Sequence, residues 1–235
     1  MLNFANAFLK YLTKIRLDAR YSGFQIFLEM PKLLKERKVV TARIVTKADI
    51  ANVLALINRA EQNGSIKKAR ALQYTAFVVF GAHTGQRSMA TAANLTVGQF
   101  RQALEDIKPV LHVTAKQDKI RMEHYVPLHP FVVKAVSPLL DDRKDAELMF
   151  QHGSLWMWIK RQKILMSRFR GHFVLSDLRK FAEQYGDIIR WDQSNRAYIM
   201  THGVSGIDWK HYKHPLPETV YDIYMKSWAD VDLAK

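Results

Sequence analysis

Apolar side chains recur at helical intervals over most of the chain. Phe4, Phe8, Leu9, Leu12 and Ile15 line one face of residues 3–20, which predicts an amphipathic helix. Apolar character continues from Phe24 to Leu34 across Pro31. It then gives way to KERKVVTARIV, a basic stretch without helical period that reads as a linker. Thr46-Lys47-Ala48-Asp49 resembles a capping box with Asp in the place of Glu. Behind it Ile50, Val53, Leu54, Ile57 and Ala60 form one face, and Asn63-Gly64 ends the helix. The next helix, over residues 66–80, is apolar nearly all round from Tyr74, which predicts a central buried element. His83-Thr84-Gly85 breaks it, and a short helix is expected over residues 87–94.

The period then changes. Residues 110–114 and 122–126 alternate as two short strands around the polar turn AKQDKIR, which predicts a hairpin. Pro130 starts another helix. A long helix is expected over residues 148–166, carrying Trp156, Trp158 and Ile159. Ser176 is expected to cap LRKFAEQYGD, and residues 191–200 are again helical. Residues 202–215 read as loop or short helix. Pro217-Glu218 starts a last helix with Val220, Tyr221, Ile223, Tyr224 and Trp228, whose aromatics at helical spacing suit either docking on a neighbouring protomer or packing on their own domain. The fold class is therefore mainly α with one small antiparallel β-hairpin. The main domain begins at about Thr46, and the tail of another precedes it. Because helical period starts at Met1-Leu2-Asn3-Phe4, the chain is expected to begin inside a domain.

Composition narrows the function. The 235 residues, 48% hydrophobic, allow one good core or one domain and part of another. No apolar run reaches the ~18 residues of a membrane span, and there is no signal-peptide pattern. With no Cys there are no disulfides, thiolate metal sites or thiol nucleophiles, which suits a reducing cytoplasm. Lys plus Arg is 36 against 22 acids, a formal net charge of +14. That excess favours a polyanion through counterion release, with nucleic acid ahead of anionic membrane because no helix pairs a basic face with a large apolar one.

Four segments carry candidate chemistry. In TGQRSMATAANL a turn feeds a helix with Arg87 at its start, where backbone amides and a guanidinium suit a phosphate. Alone it reads as a surface arginine. AKQDKIR reads either as a solvated turn or as the base of a mobile lysine. In SDLRKF, Arg179 lies near a helix start and opposes the helix dipole unless an anion shares the site. The segment THGVSGIDWKHYKH holds His202, His211 and His214 around Tyr212. Their spacing matches no usual zinc pattern and no carboxylate pair stands nearby, so no metal is expected.

Taken in order, these segments resemble the tyrosine recombinases, or phage-type integrases. Thr84-Gly85-Gln86-Arg87 followed by Asn94-Leu95 is similar to the family's first motif. AKQDKIR followed by Val126-Pro127-Leu128 is similar to its lysine hairpin. Ser176-Asp177-Leu178-Arg179-Lys180 stands at its second motif, His-x-Leu-Arg-His. His202 follows Arg179 by 202 − 179 = 23 residues, and Tyr212 follows His202 by 212 − 202 = 10, both as in the family. The likeness runs from about Thr46 to Tyr212. Residues 1–35 resemble the last helices of the core-binding domain, 36–45 the linker, 46–215 the catalytic domain, and 216–235 a C-terminal helix that docks on a neighbouring protomer. Three positions depart from the pattern. Ser176 stands where His is usual, Lys180 where a second His is common, and Ala90 where an acid often supports the first arginine. The missing histidine is similar to what integrases of archaeal viruses and plasmids show.

The resemblance implies cutting and rejoining of double-stranded DNA through a 3′-phosphotyrosine, without metal, ATP or other cofactor. It implies a homotetramer on the DNA synapse and a monomer or weak dimer when free. Arg87 and Arg179 would clamp the phosphate, since bidentate guanidinium suits its oxygens. Tyr212 would be the nucleophile and His202 a hydrogen-bond donor to a phosphate oxygen. Lys116, or Lys119 as the alternate, would protonate the leaving 5′ oxygen. Ser176 would sit at the histidine position with an uncertain role. Lys38, Arg43, Lys119, Arg121, Lys180, Lys210, His211 and His214 are DNA-contact candidates. Competing readings are a type IB topoisomerase-like relaxing enzyme, an inactive DNA-binding regulator on the same fold, and a metal-dependent nuclease, the last disfavoured by the lack of clustered acids.

Overall fold

The computed structural model describes residues 7–8, 11–12, 43–202 and 215–233. The chain separates into two compact units, 1–43 and 44–235. Almost everything described lies in the second unit, which is mainly helical with one two-stranded antiparallel sheet.

Helix α1 is Lys47–Gln62, and the expected capping box forms. Thr46 Oγ1 accepts from the Asp49 amide, and Asp49 Oδ2 accepts from the Thr46 amide at 2.8 Å. Such a cap contributes about 1 kcal/mol. Burial alone would raise the Asp49 pKa, but amide and hydroxyl donors from Thr46 and Ser167 hold it below the usual range. Ile50, Val53 and Ile57, one helical stripe, are fully buried.

Helix α2, Lys68–Thr84, is the central element. It packs against α1, against α4 (Pro130–Val136) and against α6 (Asp177–Ile188). Phe77, Phe80, Phe100 and Phe150 interlock in edge-on and tilted pairs around it. A Cβ on Gly81 would lie 2.8 Å from Leu178, so glycine there permits the close α2–α6 crossing. Gly85 ends α2 in the left-handed region at φ 64°, with Met200 and Ala182 against its Cα.

The helix expected over residues 87–94 is only a short 3₁₀ turn, Ala92–Asn94, after a run of turns. A helix that the sequence reading missed follows: α3, Val97–Leu104, with a Thr96–Gln99 capping box. Strands β1 (Val110–Val113) and β2 (His124–Pro127) then pair, with Leu111 opposite Val126 and Val113 opposite His124.

The long helix expected over residues 148–166 is shortened to α5, His152–Gln162. Its flanks are extended. Leu148 bridges Thr96, and Leu165 bridges His172. Lys163 stops the helix in a left-handed conformation. Residues at both ends continue the apolar rhythm, but their backbone groups bond across to other segments.

Helix α7 is Gln193–Met200, capped by the Asp192 carboxylate rather than starting at Trp191. The last helix, α8, is Pro217–Trp228. Of the two expected arrangements, its aromatics take packing on their own domain. Val220, Tyr224 and Trp228 are buried in the same unit, with Tyr224 and Trp228 ringed by Trp191. Among the described residues, no helix is long and apolar enough to cross a membrane.

Candidate active site

Four ends of elements converge: the Gly85–Arg87 exit from α2, the turn between β1 and β2, the first turns of α6, and the C-terminus of α7. Gln86 fixes the first of these, donating from Nε2 to the Ile199 carbonyl at 2.6 Å. Beyond it, Arg87 is held on three sides. Nη1 donates to Asp118 Oδ1 at 3.1 Å and to Thr201 Oγ1 at 2.6 Å, and Nη2 donates to the Thr201 carbonyl at 3.2 Å. A guanidinium has five N–H donors, so two remain beyond these three bonds.

Asp118 is the carboxylate at the centre of this arrangement, with a fully buried side chain. Besides Arg87 it accepts from Thr201 Oγ1 at 3.1 Å and from the Ile120 amide at 2.9 Å. Thr201 caps α7 at φ 50°, a strained conformation for a β-branched residue, and its bonds to Arg87 and Asp118 hold it there.

Arg179, in the first turn of α6, donates from Nη1 to the Gly85 carbonyl at 2.9 Å. The left-handed turn at Gly85 therefore shapes the backbone that Arg179 grips. Its Nη2 is buried and has no hydrogen-bond partner among the described residues. Burial, then the neighbouring Arg87 charge, pull the Arg179 pKa down to about 10, against the opposing pull of Glu183 and Asp118. The group stays cationic near neutral pH all the same. Two guanidinium groups thus lie close enough to repel each other, with a donor to spare, an arrangement that favours an anion.

One turn along α6, Glu183 Oε1 lies 3.1 Å from His202 Nδ1 and orients that half-exposed ring. Beneath the arginines lies buried His124. Burial above all lowers its pKa, and the Arg87 and Arg179 charges add to the effect.

The remaining sequence candidates are placed as follows. Lys116 and Lys119 are exposed on the turn between the strands. That turn is anchored rather than loose. Gln117 pairs its amide with Gln99 and donates to the Asn94 carbonyl, while Asp118 ties the other side. Lys116 also borders an open groove of about 1190 Å³ with Gln99, His112 and Tyr125, which neither arginine lines. Arg121 and Lys180 are exposed, and Arg43 is half-buried in the other unit. Ser176 is exposed and its side chain makes no capping bond, contrary to expectation; the Asp177 carboxylate accepts from the Val174 amide instead. Tyr212, Lys210, His211, His214 and Lys38 lie outside the described residues. Asp118, Thr201 and Glu183 are the partners that sequence reading missed. Among the described residues no group of His, Cys, Asp and Glu could hold a metal ion.

No known family, curated protein or solved structure matches the chain.

Proposed function

We propose that residues 44–235 form the catalytic domain of a tyrosine-type DNA recombinase, which cleaves and rejoins strands through a 3′-phosphotyrosine. The observation that carries this reading is the paired Arg87 and Arg179, with a buried Nη2 lacking a partner among the described residues. A phosphodiester repels nucleophiles by its charge. Two guanidiniums at its non-bridging oxygens offset that charge and stabilise the growth of charge on attack. His202, oriented by Glu183, adds a donor from the same end of α7.

In the proposed step the Tyr212 oxygen bonds to phosphorus, giving up its proton to water, and the P–O5′ bond breaks. A hairpin lysine, Lys116 or Lys119, delivers the proton that the leaving oxygen takes. Other C-terminal tyrosines are poor alternatives. Burial pushes the Tyr198 phenol up to about 12, raises Tyr221 and drives Tyr224 well above its usual value. The phosphotyrosine keeps the bond energy, so rejoining needs no nucleotide.

The test is a nicked suicide DNA substrate incubated with the protein in EDTA. A covalent protein–DNA adduct that disappears in Tyr212→Phe supports the proposal. An adduct that survives this change, or one that forms only with added divalent metal, contradicts it. An inactive DNA-binding regulator would bind without forming adduct.

A further inference from the structure

We infer that Asp118 is a positioning residue that sets Arg87, the lysine turn and the approach to His202 together, an inference that rests on the recombinase reading. The Asp118 carboxylate accepts four hydrogen bonds. One carboxylate oxygen takes Arg87 Nη1 and Thr201 Oγ1, each at 3.1 Å. The other takes the amides of Ile120 at 2.9 Å and Met122 at 3.4 Å. Oδ1 thus faces the arginine and the end of α7, while Oδ2 closes the turn that carries the lysines. These contacts join residues 31 and 83 positions away in sequence to the hairpin.

Lys116 and Lys119 flank Gln117 and Asp118, and these two inner residues are the ones tied down. Gln117 fixes the turn to the Asn94 carbonyl and to Gln99 of α3. Asp118 fixes it to Arg87. The lysines project from a turn whose orientation depends on the arginine that would hold the phosphate. Thr201 immediately precedes His202, so the same carboxylate steadies the backbone that presents the histidine. Ala90 has no carboxyl group with which to support Arg87; Asp118 provides that support from a different element. Full burial makes the charge matter. A neutral amide of the same shape would keep its oxygen toward Arg87 and Thr201 but turn its N–H donors toward the Ile120 and Met122 amides.

The test compares wild type, Asp118→Asn and Thr201→Val in single-turnover cleavage. Each is given the suicide substrate with an ordinary phosphodiester and with a 5′-bridging phosphorothiolate, whose thiolate leaves without needing a proton. DNA affinity and thermal midpoint are measured on the same preparations. Asp118→Asn should slow phosphodiester cleavage about 100-fold. DNA affinity should stay within about threefold, since most phosphate contacts lie elsewhere. The sulfur substrate should recover about tenfold of the loss, because the lysine is the group displaced. Thr201→Val keeps the Asp118–Arg87 bond and should lose about tenfold or less. The inference is overturned if Asp118→Asn cleaves within about threefold of wild type. Equal loss on both substrates, with DNA binding falling in parallel, also overturns it, as does loss of folding in Asp118→Asn while Thr201→Val is unchanged in every readout. If wild type itself forms no Tyr212-dependent adduct, the recombinase reading fails and this inference falls with it; wild-type adduct with a fully active Asp118→Asn sinks the inference alone.

Discussion

The end of α2 leads into two buried surroundings that treat positive charge in opposite ways. On one side His83 is fully buried, stacked on His129 at 4.6 Å and tilted against Trp228 at 5.3 Å, under the last helix. Burial, reinforced by His129, drives its pKa down to about 3. Burial likewise lowers His129. Both rings pack among aromatics, with His83 Nδ1 2.9 Å from the Val79 carbonyl and His129 Nδ1 accepting from the Phe131 amide. On the other side Arg179 is half-buried beside Arg87 with its Nη2 covered, and an arginine cannot shed its proton at neutral pH. The two surroundings therefore leave an aromatic cluster in one place and, in the other, a cation whose Nη2 has no partner among the described residues. Histidine in a core needs no ligand. An arginine pair with a spare donor calls for one.

Breaking the arginine side should give the largest effect. Arg179→Ala should lower cleavage of the suicide substrate by about 1000-fold, while DNA affinity falls only severalfold. Its thermal stability should stay within about 1 kcal/mol of wild type, because the change removes a buried charge with few partners. Arg87→Ala should behave differently. It also abolishes cleavage, but it leaves Asp118 buried without its cation, so it should unfold about 3 kcal/mol more easily in urea. Equal stabilities for the two variants would contradict the asymmetry between them.

The histidine side should answer to pH instead. His83 has a folded pKa of about 3 against 6.5 in the unfolded chain. Above 6.5 neither state binds the proton and stability is full. As pH falls below 6.5 the unfolded state takes the proton first, and stability drops until about pH 3. By pH 5 the loss from His83 alone is about 2 kcal/mol. His83→Phe keeps a stacked ring without a titrating nitrogen, so the difference in its thermal midpoint between pH 7.5 and pH 5 should shrink. A difference as large as that of wild type would place the acid sensitivity elsewhere. The smallest effect is expected from Gly81→Ala, whose new methyl meets Leu178 Cδ1 at 2.8 Å and Cβ at 3.2 Å and should cost about 1 kcal/mol in urea denaturation, with cleavage unchanged.

Much of the frame was readable in the chain because local chemistry decided it. Thr46 and Asp49 cap α1, Gly85 closes α2 and Pro217 opens α8 through contacts within a few residues. Arg87 and Arg179 stood out because each follows a break or opens a helix. Their setting was not readable. Asp118 looked like any acid in a charged turn, and its bonds reach positions 87 and 201. Glu183 looked like a solvated helix residue until the fold placed His202 beside it. Residues 148–166 kept a helical rhythm that long-range backbone pairing at Leu148 and Leu165 overrode. The aromatics of α8 carried an amphipathic pattern that does not say which apolar surface covers it, and Trp191 supplies it from the same unit. Only α3 was missed despite a local signal, the Thr96–Gln99 capping box.

The most direct measurement is to digest the covalent protein–DNA adduct to peptides and locate the phosphodiester by mass spectrometry. The account predicts a nucleotide on the phenol oxygen of Tyr212, absent from Arg179→Ala protein treated in the same way. A nucleotide on Tyr198, Tyr221 or Tyr224, or on a serine, would contradict it.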